Sequence, residues 1–185
     1  MLEDYCVIDL EMTGLNPKHH KILEVAAVRV RKKEIVSECS MLIRQHQPLE
    51  EKITELTGID QEMLAGAKEE DEVLDCFFGF LGEDILVGQN VIFDYSFLKQ
   101  AAINRKQPFE RKAADTLKIA RRCLPALEKR TLDALCGYYG IEIGHHHRAL
   151  DDAKATYLLY ERLEEEFGTV QALSLIHISE PTRHL

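Results

Sequence analysis

"VIDLEMTG", residues 7–14, opens as an apolar strand and closes on a Thr-Gly turn, yet it carries Asp9 and Glu11 two residues apart. Alternate side chains of a strand share a face, so the two carboxylates point the same way with their Cα atoms about 7 Å apart. Like charges that close repel. The pair is tolerated if one acid is protonated or if a cation sits between them. Thr13 and Gly14 follow at once, which puts Glu11 at the strand end, where α/β sheets open their sites. An isolated D-x-E is more commonly a strand end held by caps or basic partners, so its meaning depends on what the rest of the chain brings to it.

Outward from this strand the pattern is a meander. Residues 5–11 are the first strand, the turn-rich "TGLNPKHH" follows, and the apolar, partly β-branched "ILEVAAVRV" (22–30) is the second. A short polar "RKK" leads as in a hairpin to a third, residues 34–44. "ITELTGIDQEMLAGA" reads as a short helix and turn. Helical periodicity then takes over: Val73, Leu74, Phe77, Phe78 and Leu81 recur at helical spacing behind an acidic first turn. Short strands at 84–90 and 112–116 alternate with helices at 93–106, from 117, at 131–140 (Thr131 as cap, Gly140 past the end) and at 148–167. Three strands followed by alternating strands and helices predict an α/β sheet with helices packed on it.

Composition narrows the function. The 185 residues suit one domain with a real core, and 45% hydrophobic with 30% charged residues is the balance of a globular, soluble chain. No apolar run approaches the ~20 residues that span a bilayer, and "MLEDYCVIDL" is acidic and does not read as a signal peptide. Five scattered cysteines without a C-x-x-C read as reduced thiols of a cytoplasmic protein. The net charge of −9 argues against a passive nucleic-acid binder, but not against an enzyme whose carboxylates hold the cations that meet phosphate. Residues 173–183, "LSLIHISEPTR", resemble a translated sequencing adapter, with a genuine tail carrying a short apolar strand, "LSLIHI", as the alternative; the expected division is a domain over 1–172 and a non-native tail over 173–185.

Two further segments carry acids. In "GQNVIFDYSFL" (88–98) a strand ends near Asn90 and a helix begins near Asp94, whose first-turn position suits the helix dipole whether or not it has a further role. Phe93, Phe97 and Leu98 read as core, although rings at a strand end can also stack on a base. In "HHHRALDDAKAT" (145–156) Asp152 shares a helical stripe with Ala149, Thr156, Leu159 and Leu163, which faces the protein. Asp151 shares a solvated stripe with Arg148, Lys154 and Arg162. Asp152 is therefore the inward acid, with His147 as its H-x4-D partner. Four acids converging on one cleft need divalent metal, and all-oxygen ligands favour Mg²⁺ or Mn²⁺. Two such ions roughly 3.5–4 Å apart clamp a phosphodiester. A histidine, with a pKa near 6.5, suits the activation of water.

"DLEMTG", "NVIFDYSFL" and "HRALDDA" together resemble the three motifs of the DEDDh group, the DnaQ-like 3′–5′ exonucleases of RNase H-like fold, over about residues 4–167. "ELTGID" (55–60), "DTL" (115–117) and "TLDALCGYYGI" (131–141) resemble further family segments. The resemblance implies a five-stranded mixed sheet, a three-stranded antiparallel meander plus parallel strands. It implies that Asp9, Glu11 and Asp152 hold the metal on the nucleophile side, that Asp9 also touches a second ion with Asp94 acting directly or through water, and that His147 is the general base. It places Thr13, Leu15, Asn90 and Phe97 around the 3′-terminal nucleotide, with the backbone at Met12 touching it. Met12, Gln89 and Thr57 depart from commoner family residues at positions that bear on nucleotide contact rather than on the chemistry.

The function implied is release of nucleoside 5′-monophosphates from single-stranded 3′ ends, with DNA favoured over RNA by analogy, in proofreading or repair. An RNA exonuclease, a module serving mainly to bind a polymerase or helicase partner, and an inactive nucleic-acid-binding relic are the alternatives. The intact acids, His147 and the net charge argue against the last. Ions that bind only the folded state would also stabilise it.

Overall fold

The strand with which the sequence reading began is β1, Tyr5–Met12, in a computed structural model that describes residues 2–144 and 148–168 and the backbone of 175–177. It pairs antiparallel with β2 (Ile22–Arg31), which pairs antiparallel with β3 (Glu34–Leu42). On its other side β1 pairs in parallel with the three-residue β4 (Leu86–Gly88), and β4 in parallel with β5 (Lys112–Asp115). These five strands are the expected mixed sheet. A sixth, β6 (Leu175–His177), lies antiparallel on β5, giving the order β3-β2-β1-β4-β5-β6. It comes from the segment set aside as a tail. Residues 175–177 pair with the edge of β5, which among the described residues has no other strand on that side.

Helices cover both faces. The even residues of β1 (Cys6, Ile8 and Leu10) pack with Val73, Leu74, Phe77 and Leu81 of α3 (Glu70–Leu81) and with Tyr95 and Leu98 of α4 (Ile92–Asn104). The odd residues Tyr5 and Val7 pack with Ile119 and Ala120 of α5 (Thr116–Cys123), Leu135 of α6 (Leu132–Tyr139) and Ala153, Leu159, Tyr160 and Leu163 of α7 (Ala149–Phe167). Asp9 and Glu11 continue the odd row, so the strand period aims them toward the face α7 covers. β2 is buried along nearly all its length because both its faces are covered, and its sequence is accordingly almost continuously apolar.

The single helix and turn expected over "ITELTGIDQEMLAGA" is two helices, α1 (Glu51–Thr57) and α2 (Gln61–Ala65). Gly58, at φ 67°, ends the first in the left-handed region, and the Asp60 carboxylate accepts from the Met63 N–H to start the second at 2.8 Å. Ile59 and Leu64 pin this pair onto Leu23. Thr131 caps α6 and Gly140, at φ 66°, ends it, as the sequence indicated. The strand expected over 84–90 is only Leu86–Gly88. Its last expected residue, Asn90, already turns at φ 57°, a left-handed conformation that asparagine tolerates better than most residues.

Candidate active site

Three of the four predicted acids meet. Asp9 and Glu11 at the end of β1 and Asp152 in the first turn of α7 each offer a carboxylate oxygen, and the three atoms lie within 4.8 Å of one another. All three residues are half-buried. The β1–β2 register shifts between Glu11 and Met12, a bulge at the strand end where the site opens.

Asp94 arrives from the other layer. It is buried in the first turn of α4, and its Oδ1 accepts the Leu10 backbone N–H at 2.9 Å, between the two β1 acids in sequence. It is close enough to raise the proton affinity of Asp9. It does not belong to the compact trio, and its Oδ1 is committed to the backbone of β1.

The electrostatics are those of a site short of positive charge. Burial first, and then Asp94, Asp152 and Glu11 around it, push Asp9 well above the usual carboxylate range. Burial and the neighbouring Asp152 and Glu24 push Glu11 up to about 8, with the Arg148 guanidinium opposing them. Burial lifts Asp94 to about 7 against the two backbone hydrogen bonds that favour its anion. Carboxyl groups with proton affinities this high are waiting for a cation, proton or metal. The donor set is all oxygen and acidic, which fits a hard divalent ion.

His147 lies outside the described residues, as do His145 and His146. Of the expected nucleotide-pocket residues, Met12 ends β1 half-buried, Leu15 is exposed, and Thr13 is clamped to Lys21 by two hydrogen bonds, backbone to backbone and Lys21 N–H to its Oγ1, each 2.9 Å. The loop between them folds tightly: a Cβ on Gly14 would collide with the His20 ring. Asn90 donates its N–H to Asp115 Oδ1 at 2.9 Å. Phe97 belongs to the core, as its sequence pattern indicated, and edges a cavity of about 210 Å³ with His19, His20, Lys21 and Gln100.

Arg148, Glu24 and Asp115 have contacts near the site that the sequence reading did not assign. Arg148 shares its stripe of α7 with Asp151, whose charge helps to raise its proton affinity, and it has a larger partner. It reaches across to Glu24 of β2, and Lys154 likewise pairs with Glu38 of β3. Glu24 is 1% exposed and sits opposite Glu11 in the β1–β2 register. A single acid inside "ILEVAAVRV" was its available signal. Asp115, fully buried, caps α5 through Leu117 N–H while holding Asn90.

Residues 6–160 match the RNase T exonuclease family. The chain belongs to that family. It is 39% identical over 154 residues to the PolC-type DNA polymerase III of Clostridium perfringens, an alignment covering 83% of this chain and 11% of that protein. It therefore spans about a ninth of the length of this relative. Among solved structures, Exonuclease X in complex with 5′-overhanging duplex DNA superposes with TM-score 0.72 at 28% identity, covering 89% of this chain and 93% of that one. The nuclease domain of 3′hExo, a DEDDh family member bound to rAMP, superposes at 0.76 over 97% and 98% with 21% identity, a likeness of fold. The exonuclease-family fold expected from the three motifs is thus the one found. No helix among the described residues is long and apolar enough to cross a membrane.

Proposed function

We propose that the chain is a two-metal 3′–5′ exonuclease acting on single-stranded DNA ends, the proofreading module of a PolC-type polymerase. The observation that carries it is the convergence of Asp9, Glu11 and Asp152 within 4.8 Å, from two elements far apart in sequence. The polymerase context is supported by the PolC relative, of which the chain spans about a ninth. The DNA preference is supported by that relative and by the DNA in the Exonuclease X structure.

Asp9, Glu11 and Asp152 would hold Mg²⁺ or Mn²⁺, with Asp94 completing the set directly or through water. Bound there, two such ions supply Lewis acidity and charge neutralisation at the phosphodiester. The chain's own residues do the rest. His147, five residues before Asp152, takes the proton of the attacking water. Thr13, Leu15, Asn90 and Phe97, with the backbone at Met12, seat the terminal nucleotide. Asp94 fixes the end of β1 by its bond to Leu10 N–H.

The test uses 5′-labelled single-stranded DNA and RNA of one sequence, with Mg²⁺, Mn²⁺ or EDTA. A ladder shortening from the 3′ end, faster on DNA and abolished by EDTA, Asp9→Ala and His147→Ala, is expected. Faster RNA shortening would move the reading to an RNA exonuclease. No metal-dependent shortening of either strand would leave a partner-binding module.

A further inference from the structure

We propose that Glu24 and Arg148 are a positioning couple that locks the first turn of α7, and hence Asp152, onto the end of β1. Glu24 is an acid that the trio does not include, although it lies directly across from Glu11. Its oxygens are otherwise occupied. Oε1 accepts from Arg148 Nη2 at 3.0 Å and from Ser40 Oγ at 3.1 Å. Oε2 accepts from Arg148 Nε and from the Ala149 backbone N–H, each at 3.3 Å. Four donors saturate it, and the guanidinium binds both oxygens in the forked geometry that fixes direction as well as distance.

Arg148 is the N-cap of α7 and its own side chain makes no capping bond. The cap comes instead from β2, through Glu24 on the Ala149 N–H. The Arg148 carbonyl accepts the Asp152 N–H at 3.1 Å, closing the turn that carries the third acid. One carboxylate on the sheet therefore holds the helix start by its side chain and by its backbone, and Asp152 is one hydrogen bond away. Burying a carboxylate is costly unless it is paired. An apolar residue at position 24 would continue the strand's run, and it would leave the first turn of α7 with only packing to orient it.

The proposal rests on the exonuclease reading for its rate measurement but not for its metal measurement. In the full chain, Glu24→Gln, Arg148→Lys and the double variant are compared by Mn²⁺ titration and by steady-state cleavage. Lys154→Met, which breaks another ion pair between α7 and the sheet, is the control. Each single variant is expected to lose roughly 10-fold or more in Mn²⁺ affinity and in kcat, the scale of lost support around a metal ligand, while KM stays within about threefold. The double variant is expected to be no worse than the worse single one, because the two residues act as one unit. If Glu24→Gln does not fold, Arg148→Lys alone decides by the same two readouts. Wild-type Mn²⁺ binding and kcat in the variants, additive losses, or an equal loss in Lys154→Met would overturn the couple. So would a raised KM with kcat intact, which would make Arg148 a contact to the strand of nucleic acid. A wild-type protein that cleaves nothing would defeat the exonuclease reading, while the Mn²⁺ titrations would still decide the couple.

Discussion

At Glu11 the protein stores a conflict that pH and metal can each resolve. Its folded-state pKa is raised to about 8, and those of Asp9 and Asp94 are raised as well. A raised carboxyl pKa means the folded state holds the proton more tightly than the unfolded chain. The associated stability is present below the unfolded value near 4.5 and is lost as pH climbs through about 8. Metal-free protein is therefore expected to melt at a lower temperature at pH 8.5 than at pH 5.5. The midpoint gain from Mn²⁺ should grow over the same interval, because protons and metal compete for the same oxygens. Melting curves in EDTA and in Mn²⁺ at the two pH values check both, and a Mn²⁺ gain independent of pH would contradict them. Asp9→Asn removes one charge at constant shape. It should stabilise the metal-free protein at pH 8 by about 1–2 kcal/mol, or roughly 2–8 °C, while cleavage and the Mn²⁺ gain disappear. Asp9, Glu11 and Asp152 were legible in the sequence because strand and helix periods each put them on an inward face. Glu24 was not: its partner Arg148 is 124 residues away, and no local period links the two.

Between elements, the same kind of side-chain cap serves two different ends. Asp60 caps only α2. Asp115 caps α5 and also holds the left-handed turn at Asn90, tying the β4–α4 connection to the end of β5. Asp60→Ala should cost about 1 kcal/mol, seen as a midpoint roughly 2–4 °C lower, with kcat/KM unchanged. Asp115→Ala should cost about 2 kcal/mol, since the part-buried backbone N–H groups of Asn90 and Leu117 both lose their acceptor. It should also raise KM for the oligonucleotide, because Asn90 borders the proposed pocket. Equal KM values in the two variants would separate Asn90 from substrate. The order of elements was readable from the switch between strand and helix periods. The shortness of β4 was not. "DILVGQN" is apolar throughout, and the turn at Asn90 is imposed by a carboxylate 25 residues further on. β6 was legible as the short apolar run "LSLIHI", but nothing local shows that it adds to the sheet by backbone pairing with β5.

Across the whole molecule, 32 acidic against 23 basic side chains give a net charge of −9, the wrong sign for holding a polyanion by counterion release. The acids gathered at the site repel phosphate most where it must come closest. If divalent ions are what reverse that sign locally, affinity for single-stranded DNA should depend on them rather than on the body of the protein. Fluorescence anisotropy of a labelled oligonucleotide can be read with Ca²⁺, which takes the same oxygen ligands, and with EDTA. Binding is expected with the ion and none in EDTA at low salt. With the ion present, log K against log salt should be shallow, with a slope of magnitude about 2 or less, the signature of few displaced counterions. Strong binding in EDTA with a steep slope would mean that a basic path along the surface holds the strand. The −9 charge would then be distributed away from that path, and the acid cluster would serve the chemistry without serving capture.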